Sequence, residues 1–343
     1  MATAYATDER FDIHTLEGHP EFAGRLTAIQ QRLDEDNLIG RLLHIEPQPA
    51  TMDELGAVHT SRYLELLAKT SGLTKTIMWG ADTYITPRSY ETARLAAGAV
   101  LRVVDMVMNG QAANGLAAVR PPGHHATPSD AMGFCLLNNI AIAARYAQRV
   151  YGIKRVLIVD YDVHHGNGTQ EAFYADPTVF YISTHQWPLY PGTGSARDVG
   201  VGDGTGSTLN MPLPAGVGDE GYTRVFDEVV LPTIHRFAPE LILVSAGFDA
   251  HWDDPLANMR LSLSGYDHLA RRLLAEAVSC CAGRIVFVLE GGYNLNALSH
   301  GWANVVRMLL GDTQPVDPLG VEHGVEPLLD PLVQQIKHLH KLA

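Results

Sequence analysis

Val156-Leu157-Ile158-Val159 runs without a break into Asp160-Tyr161-Asp162-Val163-His164-His165-Gly166-Asn167-Gly168. A short apolar run with no polar alternation reads as a strand covered on both faces, the habit of a parallel sheet. The reactive side chains follow at its carboxyl end. The same pairing recurs along the chain. Leu116–Val119 leads into Arg120-Pro121-Pro122-Gly123-His124-His125, and Val179–Ser183 into Thr184-His185. Leu241–Ser245 leads into Ala246-Gly247-Phe248-Asp249, and Ile285–Leu289 into Glu290-Gly291-Gly292-Tyr293-Asn294.

Between these runs, helical periodicity predicts helices over Ser89–Met108, Leu137–Tyr151 (closed by Gly152), Glu220–Phe237, Ser264–Cys281 and Ser299–Leu310. Strands alternating with helices give an α/β fold: a mostly parallel sheet between two helical layers. No repeat or Pro/Gly linker divides residues 1–343, so a single domain is expected. Trp187–Gly206 and His251–Ser262 read as long loops, which in a compact α/β domain are usually functional. Ligands of open α/β sheets bind at the carboxyl ends of the strands, so the five clusters converge on one crevice.

Composition narrows the partners. The 343 residues are 46% hydrophobic, ample for a large core, and carry a formal charge of −13 with no Lys/Arg run. Nucleic acid and anionic membrane are therefore excluded as expected partners, while a cationic substrate is easily accepted. No apolar run approaches the roughly 20 residues of a membrane span, and the stretch Met1 to Asp12 contains Asp8, Glu9 and Arg10, so a soluble cytoplasmic protein is expected. Cys135, Cys280 and Cys281 form no disulfide framework and read as small buried hydrophobes.

Asp162 and His164, two residues apart beyond a strand end, can point to the same side, and Asp249 arrives from another strand end. Three protein ligands with an open fourth position describe a catalytic metal site. Two carboxylates and an imidazole suit zinc and tolerate Fe2+, Co2+ or manganese. A lone Asp-x-His would be read as a turn cap beside a satisfied loop histidine. Four histidines and three aspartates converging on one crevice reverse that reading. The adjacent His124-His125 pair reads as acid/base machinery. Asp160 and Asn167 are natural partners behind the ligands and the pair; Asp160 equally suits a buried monovalent cation or a loop tie. Tyr293 follows two glycines that let the backbone approach closely, and its hydroxyl can serve as an oxyanion donor or simply as the wet tip of a packed aromatic.

These residues resemble the histone deacetylase family, which shares its fold with the arginases. The matching words run from about residue 18 to 310: Gly18-His19-Pro20-Glu21 with Arg25, Val58-His59-Thr60 with Tyr63-Leu64, Pro121-Pro122-Gly123-His124-His125, Gly133-Phe134-Cys135 with Asn138-Asn139, the Asp160–Gly166 run, Pro191-Gly192-Thr193-Gly194, Ser245–Asp249 and Glu290–Tyr293. The resemblance implies a three-layer α/β/α fold with a central eight-stranded sheet. It implies a zinc-dependent deacetylase, with Asp162, His164 and Asp249 holding the ion and Tyr293 polarising the acetyl carbonyl. His125 would be the proton shuttle and His124 its electrostatic partner. Phe134 and Tyr190 would wall the acyl-lysine channel, and the Gly133 carbonyl would accept the amide N–H. Asp82 reads equally as a rim residue that bonds a peptide backbone or as a solvated loop aspartate. Structural potassium would be held at an inner site by Asp160, Asp162, His164, Ser183 and Thr184, and at an outer one by Phe173, Asp176 and Val179. Arg25 would lie near an exit for acetate.

Departures from the family pattern carry information. Asn167 stands where many class I members have aspartate, so His125 would lean on an amide and its pKa would be less raised. Tyr190 replaces the usual phenylalanine. Arginase-like two-metal chemistry lacks its ligands here, since Gly166 and His251 occupy the positions that would need aspartate. Leu256 falls where polyamine-selective relatives place a glutamate, which favours an acyl-lysine substrate over acetylpolyamines. A non-catalytic acyl-amine or metal-binding module is the reading from another class. The two long loops are candidate contact surfaces for a homo-oligomer.

Overall fold

The computed structural model describes residues 2–343. Ten strands occur in chain order: β1 (Thr3–Ala6), β2 (Leu43–Ile45), β3 (Ile77–Trp79), β4 (Thr83–Ile85), β5 (Asn114–Ala117), β6 (Val156–Asp160), β7 (Val179–Gln186), β8 (Thr208–Leu213), β9 (Leu241–Ala246) and β10 (Ile285–Leu289). Eight form one sheet in the order β2-β1-β5-β10-β9-β6-β7-β8, and β3 pairs with β4 in a small antiparallel hairpin. Every pairing in the large sheet is parallel, so the expectation of a mostly parallel sheet sharpens to an all-parallel one. Helices Ser89–Met108 and Asn139–Tyr151 pack together on one side, and Gly24–Glu35, Leu263–Cys281 and Leu295–Leu309 form a packed group on the other. No helix among the described residues is long and apolar enough to cross a membrane.

The five runs read from the sequence are β5, β6, β7, β9 and β10, which lie side by side as the centre of the sheet. That adjacency brings their carboxyl ends to one crevice. The first is shifted: pairing with β1 and β10 starts at Asn114 and Gly115, poor strand formers that tertiary pairing overrides, and ends at Ala117 rather than Val119. β1, β2 and β8 were not read, being short or interrupted by Asn210 and Pro212.

Caps explain the helix boundaries. The second predicted helix starts at Asn139, because the Asn138 side chain accepts from Ala141 N, and Gly152 closes it at φ 67°. The last starts at Leu295 rather than Ser299, because Asn294 Oδ1 accepts from Asn296 N and Ala297 N. The segment read as one helix over Glu220–Phe237 is helical from Asp219 to Phe237 but widens into a π turn at Phe226–Val230. Pro232 has no N–H to offer the preceding turn, which accounts for the widening.

One buried ion cluster ties the amino-terminal segment under the crevice. Glu21, Arg25 and Arg120 are all 0% exposed. Arg120 pairs with Glu21 through Nε and through Nη2 at 2.9 Å, and Arg25 Nη1 lies 3.5 Å from Glu21 Oε1. Burial alone would raise the Glu21 pKa, but the guanidinium of Arg120, then His14 and Arg25, outweighs it and lowers the pKa to about 2. Arg25 in turn donates to Gly292 O (2.8 Å) and Glu290 O (2.5 Å), the carbonyls that flank the turn carrying Tyr293. Removing one partner of such a cluster leaves buried charge uncompensated. Glu21→Gln should therefore cost about 3–5 kcal/mol, seen as a lower urea midpoint; an unchanged midpoint would contradict the role assigned to this cluster.

Candidate active site

Two aspartates and a histidine meet at the centre of the crevice. Asp162 and His164 leave the end of β6, and Asp249 leaves the end of β9. His164 Nδ1 lies 3.1 Å from Asp162 Oδ1 and 3.2 Å from Asp249 Oδ2. The three ligand atoms all lie within 4.8 Å of one another. The main chain fixes both carboxylates: Val163 N donates to Asp249 Oδ1 (2.9 Å), Gly291 N to Asp162 Oδ2 (2.8 Å) and His164 N to Asp162 Oδ1 (2.9 Å). Asp162 Oδ1 and Asp249 Oδ2 are turned toward His164, and Asp249 Oδ2 is buried with no hydrogen-bond partner. A buried, unpartnered carboxylate oxygen beside a second carboxylate and an imidazole is the donor set of a divalent cation, so these residues fit one.

The electrostatics agree. Burial raises the Asp249 pKa, and Asp162 raises it further. Asp162 is held low despite its burial, by His124 and by hydrogen bonds and charge from His164. His164 is raised to about 10: burial opposes its charge, but the two carboxylates prevail. Positive charge at this point is what the pair of carboxylates demands.

Glycines make the close approach practicable. A Cβ on Gly247 would stand 2.1 Å from Asp162 Oδ2, and one on Gly291 2.1 Å from Asp249 Oδ2. A Cβ on Gly166 would stand 2.2 Å from Asp160 Oδ2 and 2.5 Å from the Tyr181 hydroxyl. No aspartate could fit at 166 without moving these groups, which gives a steric reason against a second metal in this crevice.

The histidine pair is split by its surroundings. His124 Nδ1 bonds Asp160 Oδ2 (3.1 Å), and its Nε2 is 3.8 Å from Asp162 Oδ1. Burial works against its charge, but Asp160, Asp162 and Glu290 raise its pKa to about 10. His125 Nδ1 bonds Asn167 Oδ1 at 2.8 Å. Its pKa is pushed well below the usual value, by burial first and then by His124 and His164. An amide oxygen only accepts, so Nδ1 carries the proton and Nε2 keeps its lone pair. One imidazole is thus charged and its neighbour is poised as a base.

A cavity of about 230 Å³ opens over this group, lined by Asp82, His125, Gly133, Phe134, His164, Leu189, Tyr190, Leu256 and Tyr293. It gathers every residue that the sequence placed at the substrate channel. Phe134 meets Tyr293 edge-on at 5.9 Å, and Tyr190 meets His125 edge-on at 5.1 Å. Gly133 (φ 56°) and Phe134 (φ 68°) are both left-handed, a conformation unusual for phenylalanine. They are held by Gly133 N donating to Asp82 Oδ1 (3.2 Å) and Phe134 N to Thr83 Oγ1 (3.0 Å). A Cβ on Gly133 would fall 2.2 Å from the His125 ring. Burial raises the Tyr293 pKa well above its usual value, so its hydroxyl stays a donor at neutral pH.

Other predicted residues are placed less directly. Arg25 does not line the cavity; its guanidinium lies 5.1 Å from the Tyr293 ring centre, as a strut beneath it. At the inner potassium set, Ser183 Oγ is 2.9 Å from His185 Nδ1, and Thr184 Oγ1 is buried without a partner. At the outer set the Asp176 carboxylate is engaged by Arg145 and Thr178, and Arg145 lies 4.6 Å from the Phe173 ring centre. A fixed cation, the Arg145 guanidinium, thus already stands beside the Asp176 carboxylate. Sequence reading missed Leu189, a wall residue hidden in a Pro/Gly-rich loop. It also gave no role to Glu290, whose Oε2 accepts from Gly123 N (2.7 Å) and His124 N (3.1 Å) and so fixes the histidine loop.

Gly291→Ala should push a methyl into both liganding carboxylates. Divalent-ion affinity should fall by about 10- to 100-fold in a competitive chelator titration, with the circular dichroism spectrum retained. Unchanged affinity would mean the carboxylates do not form the ion site.

Residues 19–309 match the histone deacetylase domain. Histone deacetylase 10, chloroplastic, of Oryza sativa is 42% identical over 355 residues, covering 96% of this chain and 79% of that protein. Polyamine deacetylase HDAC10 of Mus musculus is 43% identical, covering 85% of this chain and 45% of its own length. The crystal structure of the HDA15 HD domain superposes with a TM-score of 0.90 at 39% identity, covering 99% of this chain and 94% of that one. The all-parallel eight-stranded sheet is the arginase/deacetylase α/β fold, and the chain belongs to the histone deacetylase family.

Proposed function

We propose that this protein is a zinc-dependent amidohydrolase of one catalytic unit, which removes acetyl groups from amine nitrogen with acyl-lysine side chains as its substrate class. The observation that carries this reading is the meeting of Asp162, His164 and Asp249 with His125 and Tyr293 at one narrow cavity. A binding module would gain nothing from a histidine pair with opposed pKa shifts.

A divalent ion held by Asp162, His164 and Asp249 would polarise the acetyl carbonyl and, as zinc, bring the pKa of a bound water to about 7; Fe2+ or Co2+ suits the same donors. His125 Nε2 takes the proton of the attacking water while Asn167 holds its Nδ1–H in place. Tyr293 donates to the carbonyl oxygen as negative charge builds on it. The tetrahedral centre then collapses, and His125 returns the proton to the departing nitrogen. His124, charged and fixed on Asp160, offsets the negative charge of the ligands and keeps its neighbour neutral. Asp160, Asp162, His164, Ser183 and Thr184 belong in this reading to an inner structural potassium site.

Phe134 and Tyr190 would grip an aliphatic stem, with the Gly133 carbonyl facing the amide N–H; in the free protein that carbonyl accepts from the Cys135 thiol at 3.3 Å. Leu256 places an apolar side chain on the cavity wall, which suits a lysine stem. The alternative is an acetylpolyamine, favoured by the similarity to a protein named polyamine deacetylase and by Asp82 on the same wall, an acid able to meet a distal ammonium. A cytoplasmic setting belongs to the same reading, supported by three free cysteines.

Hydrolysis of an acetyl-lysine peptide should exceed that of acetylputrescine and acetylspermidine and should stop with a chelator; the reverse preference selects the polyamine reading, and no turnover by the metal-loaded protein refutes both. Tyr293→Phe should lose about 10²- to 10³-fold in kcat with metal retained, and His125→Ala about 10²- to 10⁴-fold. With the His125 pKa depressed, kcat/KM should be flat through neutrality and fall only in acid, as His125 gains a proton. Asn167→Asp stabilises the imidazolium, so that acidic limb should move upward by about one pH unit; an unmoved limb would remove His125 as the titrating base.

A further inference from the structure

Asp254, in the loop between the last metal-ligand candidate and the cavity wall, has no part in the chemistry described so far. It is 6% exposed and lies five residues beyond Asp249 and two before Leu256. Its two carboxylate oxygens are spent on two different segments. Oδ1 accepts from Leu256 N at 3.0 Å, closing a tight turn within its own loop. Oδ2 accepts from Tyr293 N at 2.7 Å and from Asn294 N at 3.1 Å, in the turn that follows β10. One buried carboxylate therefore fixes the main chain of both Leu256 and Tyr293.

The surroundings leave Tyr293 few other supports. Ahead of it, Gly292 stands at φ 118°, a conformation that side chains rarely adopt. Behind it, Asn294 is committed twice: its Oδ1 caps the helix starting at Leu295, and its Nδ2 donates to Asp253 O (2.9 Å) and Asp253 Oδ2 (2.8 Å). Asp253 and Asp254 thus clamp the turn from one side, with Arg25 holding the Gly292 and Glu290 carbonyls from the other. Of these contacts, only the Asp254 carboxylate reaches both Tyr293 and a residue of the cavity wall.

We propose that Asp254 is a positioning residue for the reaction: its carboxylate holds the Tyr293 hydroxyl in register with the substrate carbonyl and couples that position to the substrate-contacting loop through Leu256. This rests on the role given to Tyr293 above. The acceptor geometry demands a carboxylate. Asparagine offers one oxygen where two are used, and its NH₂ must face either Leu256 N or the Tyr293 and Asn294 N–H groups, donor against donor. A shift of about 1 Å at a donor aimed at developing charge is enough to cost on the order of 10²-fold in rate.

The test is a double-mutant cycle on the zinc-loaded enzyme with an acetyl-lysine peptide. Asp254→Asn should lower kcat by about 10-fold or more with KM within about 3-fold of the wild type, and zinc content should be unchanged. Added to Tyr293→Phe, it should lower kcat no further, because the group it positions is already gone. Asp253→Ala, which removes the Oδ2 contact to Asn294 and keeps the one to its main-chain oxygen, controls for general loosening and should stay near wild type. A purely structural Asp254 would instead lower kcat by the same factor in both backgrounds, and that additive result overturns the proposal, as does a wild-type kcat in Asp254→Asn. Should Asp254→Asn not fold, Asp254→Glu, which keeps the charge but displaces both oxygens from their N–H donors, replaces it in the cycle under the same two criteria. Full activity in Tyr293→Phe alone would overturn the role of Tyr293 itself, and so is distinguishable from failure of the Asp254 proposal.

Discussion

Two fully buried carboxylates, Asp162 and Asp249, face the same point, and the rest of the crevice follows from the need to keep them there. Like charges at that separation in a dry interior repel strongly, and neither can be left unpaired. The chain answers with fixed dipoles and positive groups. Main-chain N–H donors from Val163 and Gly291 take one oxygen of each, His164 lies between the other two, and His124 stands charged behind them. A divalent cation would take the place of the proton on His164 and bring a charge that no side chain of the crevice supplies.

That demand reaches outward through the glycines. Gly247 and Gly291 allow the ends of β9 and β10 to lie against the carboxylates, so the strand carrying Tyr293 is drawn up beside the strand carrying Asp249. The parallel sheet makes this possible, because adjacent parallel strands end on the same side. The difference between His124 and His125 has the same origin. His124 faces the acidic group directly and stays protonated; His125 faces an amide and two positive neighbours, and so stays neutral.

Much of this was legible in the sequence, for a physical reason. Buried parallel strands need unbroken apolar runs, and a polar cluster directly after such a run has only one place to go. The candidate metal ligands, the histidine pair, Tyr293 and the wall residues Phe134 and Tyr190 all follow those runs or carry family words. The edges of the sheet were not legible, because β1, β2 and β8 are too short or too polar to stand out. Supports formed between distant segments were also out of reach. Arg25 reads only as a family residue near an acetate exit until the fold sets it against the Gly292 carbonyl, and Asp254 as a loop aspartate until Tyr293 N arrives beside it. The helix boundary at Leu295 was missed because the Asn294 cap competes with the apolar pattern starting later.

The account turns on a single cation bound between those carboxylates. The most direct test is the number of zinc ions held per chain at saturation, measured by elemental analysis on the intact protein and on Asp249→Asn. The account predicts one tightly held ion in the protein and its loss in the variant; two ions in the protein, or an undiminished one in the variant, would contradict it.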